Sequence, residues 1–108
     1  MTTPEVTVLL CSAPDRATAE HLATGLLERR LIACVNLIDQ VTSVYRWEGK
    51  VETAQEVQLV IKTTAERAEA AQAWIVKNHP YDVPEVLALP VTAGHPAYLT
   101  WVSNETRG

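Results

Sequence analysis

The sequence holds no phenylalanine, one methionine, four glycines and two cysteines in 108 residues. Each shortage removes a class of function. With no phenylalanine, no RNP-like motif and a net charge of −4, the chain lacks the stacking rings and basic stripe of RNA- and DNA-binding domains. Nucleic acid is not an expected partner. The glycines never cluster, so no Gly-rich loop is available to cradle a phosphate or to build an oxyanion hole. Cys11 and Cys34 form no Cys-x-x-Cys pair and too few thiols for a disulfide-stapled secreted domain. Reduced thiols and a cytoplasmic location are expected. No basic n-region followed by an apolar h-region opens the sequence, and no apolar run nears the ~20 residues that span a bilayer. No membrane contact is expected.

What is present is enough for one core. Apolar residues make up 47% and charged residues 20%, so residues 1–108 read as a single folded domain without linkers or repeats. Val6 to Cys11 is a short apolar run of the kind found in a central strand. Asp15 suits an N-cap, and Ala19, Leu22, Ala23, Leu26 and Leu27 follow at helical spacing towards Arg29 and Arg30. Leu31 to Ile38 reads as a second strand, broken at Asp39-Gln40 and resumed from Val41 to Trp47. Glu48-Gly49 is a tight reversal, and Lys50 to Thr63 runs on without a breaker. Thr63 to Glu66 fits a capping box, opening a helix that ends at Asn78 before His79-Pro80. Glu85 to Val91 is the last strand. Pro96 starts a short helix in which Tyr98, Trp101 and Val102 share a face, with the two aromatics expected as its anchor.

The order β-α-β-β-α-β predicts an α+β, ferredoxin-like split βαβ sandwich with a long hairpin and a short C-terminal helix. The right-handed crossover rule places the third strand between the first and the second. One length does not fit a lone domain. A strand from Lys50 to Thr63 extends roughly 45 Å, whereas a domain of this size is only about 34 Å across. The hairpin must overhang its own core. Val44, Tyr45 and Trp47 on it then call for a partner, and Tyr45 and Trp47 suit packing between subunits.

Six stretches, in order, carry a resemblance over roughly residues 6–107. They are Cys11-Ser-Ala-Pro-Asp15, Leu31-Ile-Ala-Cys-Val-Asn36, Thr42-Ser-Val-Tyr-Arg-Trp-Glu-Gly-Lys50, Val60-Ile-Lys-Thr63, His79-Pro-Tyr-Asp-Val-Pro-Glu85 and Tyr98-Leu-Thr-Trp101. Together they resemble the CutA divalent-cation tolerance proteins. The resemblance implies a homotrimer joined through its long hairpins and a role in tolerance of copper and other divalent ions. It also implies a fold shared with trimeric nitrogen-signalling proteins. In bacterial members a cysteine and two adjacent histidines are associated with copper. Cys11 matches that cysteine and His79 the second histidine, while Asn78 stands in place of the first.

The topology sends Cys11, His79, Tyr81 and Glu85 to one edge of the sheet. Cys11, His79 and Glu85 are therefore the candidate metal ligands, with copper as the ion, since thiolate and imidazole suit it. The N-terminus of the first helix is expected to lower the Cys11 pKa. The structural alternative makes Cys11 a small buried hydrophobe and His79 a helix cap. Cys34 and Lys62 are expected on neighbouring strands near the opposite rim, and His21 and His95 on the surface. Three functions follow: a metal-responsive binding protein, a small-molecule sensor with clefts between subunits, and a thiol enzyme using Cys11 and His79. The last lacks an orienting residue, so no enzymatic activity is expected.

Overall fold

The computed structural model describes residues 4–107. Its elements run β1 (Val6–Ala13), α1 (Arg16–Glu28), β2 (Cys34–Trp47), β3 (Lys50–Thr64), α2 (Ala65–Asn78), β4 (Val86–Pro90) and α3 (Pro96–Glu105). The sheet order is β2-β3-β1-β4 with every neighbouring pair antiparallel, which is the ferredoxin-like arrangement. Period-two alternation divides its residues between two faces. Leu9, Cys11 and Ala13 of β1 and Val57, Leu59 and Ile61 of β3 pack under Leu22 and Leu26 of α1 and Ala71 and Ile75 of α2. The opposite face carries Val8, Leu10, Val60, Leu87 and Leu89, in rows such as Val60–Leu10–Leu87. Among the described residues only its far end is covered, where Leu99 and Val102 of α3 close over Val6 and Ala33.

The helices sit close because of one glycine. A Cβ on Gly25 of α1 would collide with the Trp74 ring of α2, so a larger residue there would force the ring to shift. Arg29 lies over the same ring at 5.0 Å and donates to the Gly25 carbonyl at 3.0 Å. Asp15 caps α1 as expected, accepting from the Thr18 N–H at 2.7 Å. The cap of α2 is Thr64, one residue later than the sequence pattern suggests. The strand period decides this: Thr63 points into the core and gives its hydroxyl proton to the Leu31 carbonyl at 2.7 Å. Leu31 to Ala33 are likewise not strand. Arg30 takes a positive φ of 55° after α1, and the chain joins β2 only at Cys34. In α3 the anchor is Leu99 and Val102, while Tyr98 and Trp101 are 39% and 42% exposed, which corrects the assignment of the aromatics.

The hairpin overhangs as its length requires. β1 pairs with β3 only from Val57 to Thr64, so residues 50–56 of β3 have β2 as their one neighbour in the sheet. The molecule is 51 Å long against 26 and 21 Å in its other directions. Glu48 and Gly49 both take positive φ at the tip, as a tight two-residue turn demands. The break expected at Asp39-Gln40 is a β-bulge within one continuous strand, with Gln40 at φ 57°. Arg16 of α1 grips Asp39 through both carboxylate oxygens at 3.1 and 3.0 Å, tying the bulge to the core.

Candidate functional site at the sheet rim

Cys11, His79, Tyr81 and Glu85 do converge, at the rim where β1 ends, α2 ends and β4 begins. Their contacts differ from those of an open ligand set. The His79 ring is buried, with Nε2 donating to the Ser12 carbonyl at 2.7 Å and Nδ1 accepting from the Tyr81 N–H at 3.1 Å. Both ring nitrogens are thus engaged. The Cys11 thiol reaches for the same Ser12 carbonyl, at 3.7 Å. Gln58 of β3 closes the group, donating to the Cys11 carbonyl at 3.2 Å. Cys11 and His79 meet at one backbone oxygen as a hydrogen-bonded brace.

Cys11 is fully buried, and burial pushes its thiol pKa from the usual 9.0 up to about 12, aided by the charges of Glu85 and Glu56. The expected lowering by the helix N-terminus is corrected. Asp15 already answers the first free N–H groups of α1, and the Cys11 side chain points into the core. The sign of the consequence is fixed. Between the unfolded value of 9.0 and the folded value of about 12 the unfolded chain loses the thiol proton and the folded chain keeps it. This contribution is complete below pH 9.0 and lost as pH rises towards about 12. With EDTA present, denaturation at pH 9 and 10 should show wild type losing about 1 kcal/mol more than Cys11→Ala. Parallel losses in the two proteins would mean an ionised or exposed thiol.

Beside the brace lies a cavity of about 660 Å³ between the overhanging hairpin and the loop from Tyr81 to Glu85. Tyr45, Trp47 and Glu56 line its hairpin side and Tyr81, Asp82 and Glu85 its loop side. Tyr81 spans the gap, donating its hydroxyl proton to Glu56 Oε2 at 2.8 Å. Desolvation, that bond and the Glu56 charge push the tyrosine hydroxyl up to about 12. Glu56 was not legible as a site residue. It lies in a mixed run from Lys50 to Gln55, and the pairing register that sets it opposite Val41 is what places it at this rim. No group of three His, Cys, Asp or Glu among the described residues is placed to hold a metal ion.

At the other end, Cys34 and Lys62 are direct partners across β2 and β3. The Cys34 sulfur lies 3.3 Å from the Tyr98 hydroxyl. The Lys62 ammonium is held by Asn36 Oδ1 and, at 3.3 Å, by the Val60 carbonyl. His21 and His95 are exposed.

Fold and rim together define a ferredoxin-like α+β protein with an overhanging hairpin and a hydrogen-bonded rim. Residues 7–105 match the family model for the CutA1 divalent ion tolerance protein, and the chain belongs to that family. The "Divalent-cation tolerance protein CutA" of Citrobacter koseri is 46% identical over 104 residues, covering 96% of this chain and 90% of its own. The crystal structure of CutA1 from Oryza sativa superposes with a TM-score of 0.95 at 41% identity, over 99% of this chain and 98% of that one. The periplasmic divalent cation tolerance protein CutA from Archaeoglobus fulgidus gives 0.92 at 31% identity, over 94% and 99% of the two chains. No helix among the described residues is long and apolar enough to cross a membrane.

Proposed function

We propose that this chain acts in divalent-cation tolerance as a cytoplasmic homotrimer that takes up copper weakly, without catalysing a reaction. The observation that carries the assembly is the uncovered apolar sheet face. Leu87 and Leu89 stand 56% and 43% exposed beside Val8 and Leu10, with no helix of the described residues over them. A strip of this kind, continuous with the face of the overhanging ribbon that bears the exposed Tyr45 and Trp47, matches a surface shared between copies. Three-fold closure follows the family resemblance.

Copper is treated as a passing ligand, since the closed rim is not a preformed metal centre. Glu85 is the exposed donor. His79 must release Ser12 or Tyr81 before it binds, and Cys11 must surface and lose its proton. These costs keep the affinity modest. Calorimetric Cu(II) titration should give a dissociation constant weaker than about 1 μM, weakened severalfold further by Cys11→Ser, His79→Ala or Glu85→Gln. Equal constants in all four proteins would remove the rim from copper binding.

A further inference from the structure

The bulge in β2 stands at a mechanical boundary of the sheet. Ile38 pairs with Gln58 and Val41 with Glu56, so Asp39 and Gln40 together stand against Val57. Val57 is also the last residue of β3 with a partner in β1, namely Ala13. On one side of this point the sheet is backed by β1 and the helices. On the other, β2 and β3 run on as a ribbon of two strands. An extra residue bends its strand and increases the local twist, and two strands alone have little stiffness. The angle at which the hairpin leaves the core is therefore decided here. The same extra residue shifts the alternation of β2, which puts Tyr45 and Trp47 on the face of Glu56 and of the apolar strip.

Side chains of the core hold this point from both faces. On the strip's face Tyr81 donates to Glu56, the first ribbon residue of β3, at 2.8 Å. On the helix face one guanidinium nitrogen of Arg16 lies 3.1 and 3.0 Å from the two Asp39 oxygens, while Nε reaches Glu20 at 3.3 Å. A cation in the first turn opposes the dipole of α1, so Arg16 is locally unfavourable there and its contact with Asp39 offsets that cost. Because α1 packs on the Leu9, Cys11 and Ala13 face, this contact lies away from the strip of Leu10, Val60 and Leu87. We infer that the Arg16–Asp39 pair is a latch on a hinge at the bulge, which holds the hairpin at the angle that presents Tyr45 and Trp47 to another copy and so controls assembly from outside the interface. Control of assembly rests on the shared sheet face proposed above, while the hinge rests on this chain alone.

Hydrogen exchange and sedimentation equilibrium test the two parts separately. Arg16 is the residue to change, since variants of Tyr81 or Glu56 would also alter the strip's face itself. Exchange is read in the Leu87→Asp background, so that no partner shields the hairpin. Adding Arg16→Ala there should speed exchange of the amides of residues 41–56 about threefold, the effect of losing an exposed ion pair, and leave residues 57–64 unchanged. With Leu87 intact, a trimer loses such a pair in every subunit. Arg16→Ala and Asp39→Asn should therefore each lower the association constant at least about tenfold. The double variant should lose no more than either alone, and Arg16→Asp combined with Asp39→Arg should recover most of the loss. Unchanged exchange in the ribbon would overturn the hinge. Faster exchange with unchanged association, or a double variant that loses the product of the single losses, would overturn the control of assembly. A wild type of one chain mass would remove the trimer reading and this control together, and exchange would then decide the hinge by itself.

Discussion

Leu87→Asp should convert the assembled protein into folded single chains. In one chain Leu87 is 56% exposed, so an aspartate there meets water and costs the fold less than about 1 kcal/mol. In the proposed trimer the same position lies in the apolar strip with Leu10 and Val60. An unpaired carboxylate buried there costs about 3–5 kcal/mol per subunit, which is at least a hundredfold in the association constant. Sedimentation equilibrium at micromolar concentration should give about three chain masses for wild type and one for the variant. Far-UV circular dichroism should be shared by both. A wild type of one chain mass would end the trimer reading. A variant that still sediments as three chains would move the interface away from this face.

The second large effect is expected at His79. Alanine there removes the partner of the Ser12 carbonyl and of the Tyr81 N–H, and leaves the 4.8 Å contact with the Tyr81 ring empty. Unmet polar groups cost about 1–3 kcal/mol each, so His79→Ala should lose about 2–4 kcal/mol of stability. The urea midpoint should fall with the slope unchanged, measured at one fixed protein concentration because assembly adds its own term. His79→Gln can still donate to Ser12 and should recover part of the loss. A change below about 0.5 kcal/mol for alanine would show that the ring is not the brace its contacts describe.

Much of the fold was legible because local chemistry and pattern agreed. The strand alternation of Val57, Leu59 and Ile61, the Asp15 cap and the Glu48-Gly49 turn each specify a conformation from a few neighbouring residues. Where local signals were ambiguous by one position, packing chose. Thr63, with Glu66 three residues on, is the cap that the sequence pattern suggests, and only the need to keep Thr63 facing the core selects Thr64. Tyr98 and Leu99 sit one step apart on α3, and the turn onto Val6 and Ala33 buries Leu99.

The sequence by itself determined the order of elements, the crossover that puts β3 beside β1, and the overhang of the hairpin. These depend on period, turn residues and strand length, which are properties of neighbours along the chain. It also brought Cys11, His79 and Glu85 to one rim, because strand direction decides which ends meet. What those residues do there was decided only by tertiary structure. Whether a thiol is a ligand or a core atom depends on how deep it lies, and Cys11 is covered by α1 and α2. Whether an imidazole has a free lone pair depends on which groups the fold places beside it, and here Ser12 and Tyr81 take both nitrogens. The acidic, aromatic cavity likewise needed the bulge at Asp39-Gln40, which puts Tyr45 and Trp47 on the same sheet face as Glu56, beside the loop at Tyr81. Burial and register arise from contacts between residues far apart in sequence, and no local pattern encodes them.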